Sequence, residues 1–71
     1  MKRLTQEIVR EKGKGLVGKD AIDTSSAKFG KVKILDAGVS VKGKEEYVTF
    51  KAPNREIPIT YSREYVTNLC V

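Results

Sequence analysis

The sequence lacks histidine and tryptophan, and its only cysteine is Cys70. Without an imidazole, neither Cys70 nor any serine has the base that usually activates such a nucleophile. A single thiol with no imidazole also argues against a zinc site of the ordinary kind. These absences favour a protein that is not an enzyme and that uses no metal or other cofactor.

Cysteine usage and hydropathy also bear on the location of the chain. One cysteine cannot form a disulfide within the chain, and the sequence has neither a signal-peptide apolar region at its start nor a long apolar run. This pattern is typical of a reducing compartment, so we expect a cytoplasmic protein that does not insert directly into a membrane. Its 71 residues leave room for a single small core.

Residues Gly13 to Lys19 match the spacing Gly-x-x-x-x-Gly-Lys of a phosphate-binding loop. Three features oppose nucleotide binding: Asp20 replaces the hydroxyl residue that would hold magnesium, no buried strand precedes the loop, and no adequate helix follows it. We interpret the segment as a hinge followed by the start of a strand. Asp20, Asp23 and Asp36 offer acid and base pairs in principle, but aspartate is also an ordinary residue of solvated turns.

The positive charge is concentrated in the first half of the chain. Residues 1–33 contain nine Lys or Arg against four Asp or Glu, whereas residues 34–71 contain five of each. A localised excess of this kind attracts phosphates or an acidic protein surface. Lysines on edge strands also prevent aggregation, and tyrosines cap small cores, so both roles stay open. The candidate contacts to a protein or nucleic-acid partner are Lys12, Lys14, Lys19, Lys28, Lys31, Lys33 and Tyr47.

The stretch over residues 16–35 predicts a β-hairpin. Residues 20–22 form its first strand, and Asp-Thr-Ser-Ser at 23–26 reverses the chain, because these side chains bond nearby backbone amides. Residues 29–35 form the second strand, with one buried and one exposed face. Apolar and basic side chains alternate along it, Val32 and Ile34 against Lys31 and Lys33.

The segment before residue 16 has two interpretations. Residues 3–12 place Leu4, Ile8 and Val9 on one side, and Thr5 is a candidate N-cap, which favours a short amphipathic helix. A first strand through Ile8 and Val9 is the alternative. Gly-Lys-Gly at residues 13–15 ends either element.

After residue 35 the sequence predicts short elements separated by turns. A turn at 36–38, a brief extended piece at 39–41 and a second turn at 42–44 lead to a strand over 47–52. The buried face of that strand carries Val48, Phe50 and Ala52.

The last third of the chain starts with a turn at Pro53-Asn54. We expect Ile57 and Ile59 to face the core, with Pro58 pointing away on an edge strand. Ser62 is a candidate cap for one helical turn over 63–65. A last strand over 69–71 closes the chain.

Residues 16–23, Leu-Val-Gly-Lys-Asp-Ala-Ile-Asp, and residues 30–33, Gly-Lys-Val-Lys, resemble the opening signature of the PRC-barrel family. That family is named for photosynthetic reaction-centre H subunits and includes the carboxyl-terminal domain of a ribosome-maturation protein. Glu-Ile-Pro-Ile at 56–59 resembles its Ile-Pro-hydrophobe strand, and Leu-Cys-Val at 69–71 takes the place of its closing strand.

The strand spacing and this resemblance predict an all-β fold, a small partly open β-barrel of five or six short strands. Residues 1–15 form a basic N-terminal arm, helical or extended, and residues 16–71 form the PRC-barrel-like domain.

The resemblance also implies a function. PRC-barrel domains are protein-interaction modules without catalytic activity, one of which docks a ribosomal protein, and the free-standing archaeal-type members look like adaptors. We therefore expect a non-enzymatic protein-interaction adaptor linked to RNA or ribosome processing, with a protein partner or a second copy of the chain. The alternative is direct RNA binding through the basic N-terminal half.

Overall fold

The computed structural model describes residues 2–71. In chain order the elements are helix α1 (Gln6–Lys12), a 3-10 helix (Gly13–Leu16), strands β1 (Asp20–Asp23), β2 (Gly30–Val39), β3 (Glu46–Lys51) and β4 (Ile59–Ser62), a second 3-10 helix (Arg63–Asn68) and β5 (Leu69–Cys70). The strands form one open antiparallel sheet in the order β4-β3-β2-β1-β5. The predicted all-β class is confirmed at this level, and the N-terminal arm, predicted to be helical or extended, contains a helix.

The predicted β-hairpin is present as β1 and β2. The two strands pair in register from Asp20 opposite Lys33 to Asp23 opposite Gly30. The predicted alternation along β2 is also confirmed, with its two apolar residues buried and its two lysines exposed (Val32, Ile34, Lys31 and Lys33).

The predicted turn at residues 36–38 and the separate extended piece at 39–41 are wrong. Strand β2 continues to Val39, with a bulge between Ile34 and Asp36. The bulge puts Ile34 and Ala37, three residues apart, on the same buried face, so the two-residue period is interrupted without ending the strand. The chain reverses next at residues 41–43, close to the predicted second turn.

Strand β3 and the turn at residues 53–54 follow the prediction, but the placement of Ile57 was wrong. Ile57 is 78% exposed, and only Ile59 packs against the core. Strand β4 begins at Ile59, directly after Pro58, so Ile57 lies in a bend outside the strand. The two-residue alternation of buried and exposed side chains in a strand therefore does not apply to Ile57. Pro58 lacks the N–H that a continuing ladder needs.

The end of the chain agrees with the prediction in outline. The helical turn after Ser62 is a 3-10 helix that extends to Asn68, although the Ser62 side chain makes no capping hydrogen bond. Strand β5 pairs with β1 on one side, and on its other side backbone hydrogen bonds join Lys2 to Val71 and Leu4 to Leu69.

Of the two interpretations of residues 3–12, the helix is the one present. Thr5 is its N-cap, and the Thr5 hydroxyl oxygen accepts a hydrogen bond from the Ile8 N–H at 3.1 Å. Gly13 ends the helix with φ of 45°, a left-handed conformation that favours glycine. No helix within residues 2–71 combines the length and apolar character needed to cross a membrane.

The core lies between the sheet and the three helical segments. Leu4 and Val9 are fully buried together with Phe50 of β3 and Val66 of the second 3-10 helix. A buried carboxylate, that of Glu46, fastens α1 to the sheet. It accepts hydrogen bonds from the Arg10 guanidinium at 2.7 and 2.9 Å and from the Gln6 amide at 3.1 Å.

Shortening Leu4 tests whether the N-terminal segment is part of the core. We expect Leu4→Ala to lower the free energy of unfolding by about 2–5 kcal/mol, because it leaves a cavity among fully buried side chains. Urea denaturation followed by circular dichroism measures this. Val41→Ala is the control, since Val41 is 97% exposed, and it should change stability by no more than about 0.5 kcal/mol. Equal small effects of both changes would contradict the prediction.

Candidate interaction surfaces

Strand β4 is at one end of the sheet. It pairs with β3 on one side, and among residues 2–71 no backbone hydrogen bond reaches it from another strand on the other side. An edge strand of this kind presents unpaired N–H and C=O groups that another extended chain can bind.

An open groove of about 500 Å³ lies next to β4. Ile57 and Pro58 are both exposed in it, and Ile59 is half-buried at the start of the strand. We call it the edge groove, and its lining residues are Phe29, Asn54, Arg55, Glu56, Ile57, Pro58 and Ile59.

The Asp23 carboxylate positions two parts of this surface. Within the β1–β2 turn it accepts hydrogen bonds from the Ser25 N–H at 2.9 Å, the Ser25 hydroxyl at 2.9 Å and the Phe29 N–H at 3.2 Å. Across the molecule it accepts one from the Tyr61 hydroxyl at 3.1 Å. Asp23 thereby links the turn that carries Phe29 to the edge strand that carries Tyr61.

Asp23 is 6% exposed, and two effects on its pKa compete. Burial favours the neutral acid and would raise the pKa. The hydrogen bonds from Ser25, Phe29 and Tyr61 favour the carboxylate and together outweigh burial, so the pKa lies below its ordinary value. The carboxylate is therefore a stable acceptor at neutral pH.

Aromatic rings pack together next to the edge groove. The Phe50 ring makes edge-on contacts with Phe29, at 6.1 Å between centroids, and with Tyr61, at 4.9 Å. The Arg55 guanidinium lies over the Phe29 ring, 5.5 Å from its centroid. This cation–π contact keeps a positive charge beside the apolar part of the groove.

Two of the predicted contact residues, Lys14 and Tyr47, meet at Asp36. The Lys14 ammonium lies 2.5 Å from one carboxylate oxygen, and the Tyr47 hydroxyl donates to the other at 3.0 Å. Hydrogen bonds from Lys14 and, to a smaller extent, Tyr47 outweigh the effect of burial and hold the pKa of Asp36 below its ordinary value. The bond between Lys14 and Asp36 also raises the pKa of Lys14. The predicted contact residues Lys14 and Tyr47 therefore both have a partner within the chain.

Two other predicted contact residues, Lys12 and Lys19, line a second groove of about 540 Å³ between α1 and the start of β1. We call it the basic groove, and its lining residues are Lys2, Ile8, Glu11, Lys12, Leu16, Lys19, Asp20 and Val71. The remaining predicted residues lie elsewhere, Lys28 in the β1–β2 turn and Lys31 and Lys33 on the exposed face of β2. The seven residues therefore lie on several elements, with Lys14 and Tyr47 meeting at Asp36 and Lys12 and Lys19 lining the basic groove.

The segment that matches the phosphate-loop spacing forms a 3-10 helix over Gly13–Leu16, and strand β1, not a helix, follows Lys19. Within residues 2–71, no three His, Cys, Asp or Glu side chains lie close enough together to hold a metal ion.

Sequence reasoning predicted the edge strand at Pro58 but missed the groove beside it, because it placed Ile57 in the core. The available signal was Pro58, whose missing N–H favours a strand that begins after it and leaves the preceding residue outside. The local turn role of Asp23 was predictable, but its bond to Tyr61, 38 residues away, was not.

Comparison with protein families, with curated proteins and with solved structures gives no match for this chain. The class that the fold defines is an antiparallel β protein with five strands and a short N-terminal helix. Its candidate sites are two surface grooves that share no lining residue.

Replacing Asp23 by asparagine tests its structural role. We expect Asp23→Asn to lower the free energy of unfolding at pH 7 by about 1–3 kcal/mol, because buried donors lose a charged acceptor. Since the folded pKa is depressed, the carboxylate contribution is complete above the unfolded value of about 3.9 and is lost as pH falls through the folded pKa. The stability gap between parent and variant should therefore shrink below about pH 4.

Urea denaturation of both proteins at neutral and acidic pH measures this gap. Asp20→Asn is the matched control, because Asp20 is exposed and its lysine partner is 3.8 Å away. Such surface pairs contribute about 0–1 kcal/mol, so its effect at neutral pH should be smaller. A gap for Asp23→Asn that is the same at both pH values would contradict the assigned role.

Proposed function

We propose that this chain is a non-enzymatic protein-interaction adaptor that binds an extended segment of a partner protein along β4. The observation that carries the proposal is the open edge of β4 beside the exposed Ile57 and Pro58. Backbone hydrogen bonds to the edge would supply affinity, and the edge groove would select alternate side chains of the partner segment.

The charges around the edge groove favour a segment that combines apolar and acidic residues. Arg55 has no carboxylate within 4.0 Å in the described part of the chain. Lys51 adds a second positive charge near the groove. Its ammonium is held in the same loop by hydrogen bonds that it donates to the carbonyls of Ala52 and Arg55. Glu56 is the acidic residue in the lining. An acidic side chain next to an apolar one therefore complements Arg55 and Ile57 together.

The PRC-barrel resemblance supports the same class of function. The motif at residues 16–23 and 30–33 coincides with the β1–β2 hairpin and the segment that leads into it. We propose on this basis that the sheet is a small, partly open barrel of the PRC type, and that the adaptor acts in RNA or ribosome processing.

A short synthetic peptide that alternates valine and aspartate tests the docking mode. In a nuclear magnetic resonance titration, we expect amide shifts confined to residues 54–62 and Phe29. Ile57→Ala should weaken binding about tenfold, because burying this side chain contributes about 1.5–3 kcal/mol. Val41→Ala, which shortens an exposed apolar side chain in another turn, should leave affinity unchanged.

Addition of the peptide as a strand requires backbone N–H groups on the peptide that donate hydrogen bonds to β4. The same peptide with alternate backbone nitrogens methylated keeps its side chains and loses those donors, so it should not bind. Equal binding of the methylated peptide, or shifts centred away from β4, would overturn the proposed docking mode.

A second candidate function, direct RNA binding, rests on Lys31 and Lys33 on the exposed face of β2. Lys33 lies directly opposite Lys51 of β3, which places like charges side by side on this face, and Asp20 of β1 lies on its other side. The candidate has less support than strand addition, because Lys14 and Tyr47 both contact Asp36 and so already have partners within the chain.

Fluorescence anisotropy with a mixed-sequence single-stranded RNA and an RNA duplex, each at low and near-physiological salt, decides this candidate. RNA binding through this face requires micromolar or tighter affinity near physiological salt. Changing Lys28, Lys31 and Lys33 to Gln should abolish it, whereas changing Lys42 and Lys44 to Gln should not. No binding at either salt removes the candidate.

A further inference from the structure

The basic groove has an apolar floor supplied by three separate parts of the chain. Leu16 at the end of the first 3-10 helix is 1% exposed, and Ile8 of α1 and Val71 after β5 are partly buried and pack against the core. The volume of about 540 Å³ lies in the range of small-molecule sites in proteins, about 300–1,000 Å³.

The walls of the groove carry three lysines, Lys2, Lys12 and Lys19. None of them has a carboxylate within 4.0 Å among residues 2–71, whereas Lys14 and Lys31 each have one. All three lysines are exposed, and lysine side chains of this kind cover apolar surface with their alkyl stems while the ammonium group stays in water.

Two acidic residues also line the groove, and they do not neutralise it. Asp20 is shared with Lys31, which lies 3.8 Å from it on the neighbouring strand. Counting side chains, Lys2, Lys12 and Lys19 against Glu11 and Asp20 leave the lining with a net charge of +1. An anion in the groove is attracted by these ammonium groups, which have no carboxylate partner within 4.0 Å among residues 2–71.

The backbone holds this arrangement in place. The Lys19 carbonyl accepts a hydrogen bond from the Ile34 N–H at 2.9 Å, and Lys2 exchanges two backbone hydrogen bonds with Val71, at 2.7 and 2.8 Å. Lys12 is the last residue of α1, which Glu46 fastens to the sheet. The lysines are therefore attached to fixed segments around a preformed apolar floor.

We propose that the basic groove binds a small amphiphile with one anionic head and an unbranched apolar tail. The tail lies against Ile8, Leu16 and Val71, and the head lies among Lys2, Lys12 and Lys19. This site is separate from the edge groove and does not depend on the proposed partner docking.

Decanoate, used below its critical micelle concentration, is the probe. In a nuclear magnetic resonance titration we expect saturable one-to-one binding, with amide shifts at Ile8, Leu16 and Val71. Acetate, which is the head without the tail, should not bind. Decyltrimethylammonium, which has a similar tail and the opposite charge, should bind at least about fivefold more weakly.

Variants then separate the site from general surface charge. Changing Lys12 and Lys19 to Gln should weaken decanoate binding about fivefold or more, and changing Lys42 and Lys44 to Gln, which removes the same charge from the β2–β3 turn, should not. Circular dichroism checks that both variants keep the parent fold. Equal binding of the cationic amphiphile, shifts centred at another surface, or no saturable binding of decanoate would each overturn the proposal.

Discussion

The buried Asp23 carboxylate is the interaction on which the edge of this sheet depends. It stands among hydrogen-bond donors from the β1–β2 turn and from β4, and no cation of residues 2–71 lies within 4.0 Å of it. A buried charge is stable only when such donors replace the water it has lost, so the turn and the edge strand are both held in the positions that supply them. Phe29 and Tyr61 consequently contact Phe50 from two sides, and the groove beside β4 has a rigid base.

A second buried carboxylate, that of Glu46, attaches helix α1 to the sheet. Its hydrogen bonds to Arg10 and Gln6 hold α1 over the sheet, where Leu4 and Val9 complete the core. Asp36 and Glu45 pair in turn with Lys14 and Arg63. Because these carboxylates are used within the fold, the unpaired positive charge is left at the surface, some of it at the two grooves.

Most of the local structure was predictable from the sequence. Alternating apolar and basic residues gave the buried face of β2, and turn-forming side chains placed the β1–β2 reversal. The prediction failed where one residue changed the period or the boundary of a strand. The bulge before Asp36 lengthened β2, and Pro58 delayed the start of β4, which left Ile57 in solvent.

The sequence by itself determined the features whose causes lie within a few residues: the Asp23 turn and the alternation along β3 and the first part of β2. It offered Thr5 as a cap but left residues 3–12 open between a helix and a strand. Only the tertiary structure decided the sites. Asp23 and Tyr61 are 38 residues apart, and Arg10 and Glu46 are 36 apart. The edge groove joins Phe29 to residues 54–59, and the basic groove joins Lys2, Lys12 and Lys19. Such neighbours are set by how the strands pair and the helix packs, and local patterns of charge and hydropathy do not specify them.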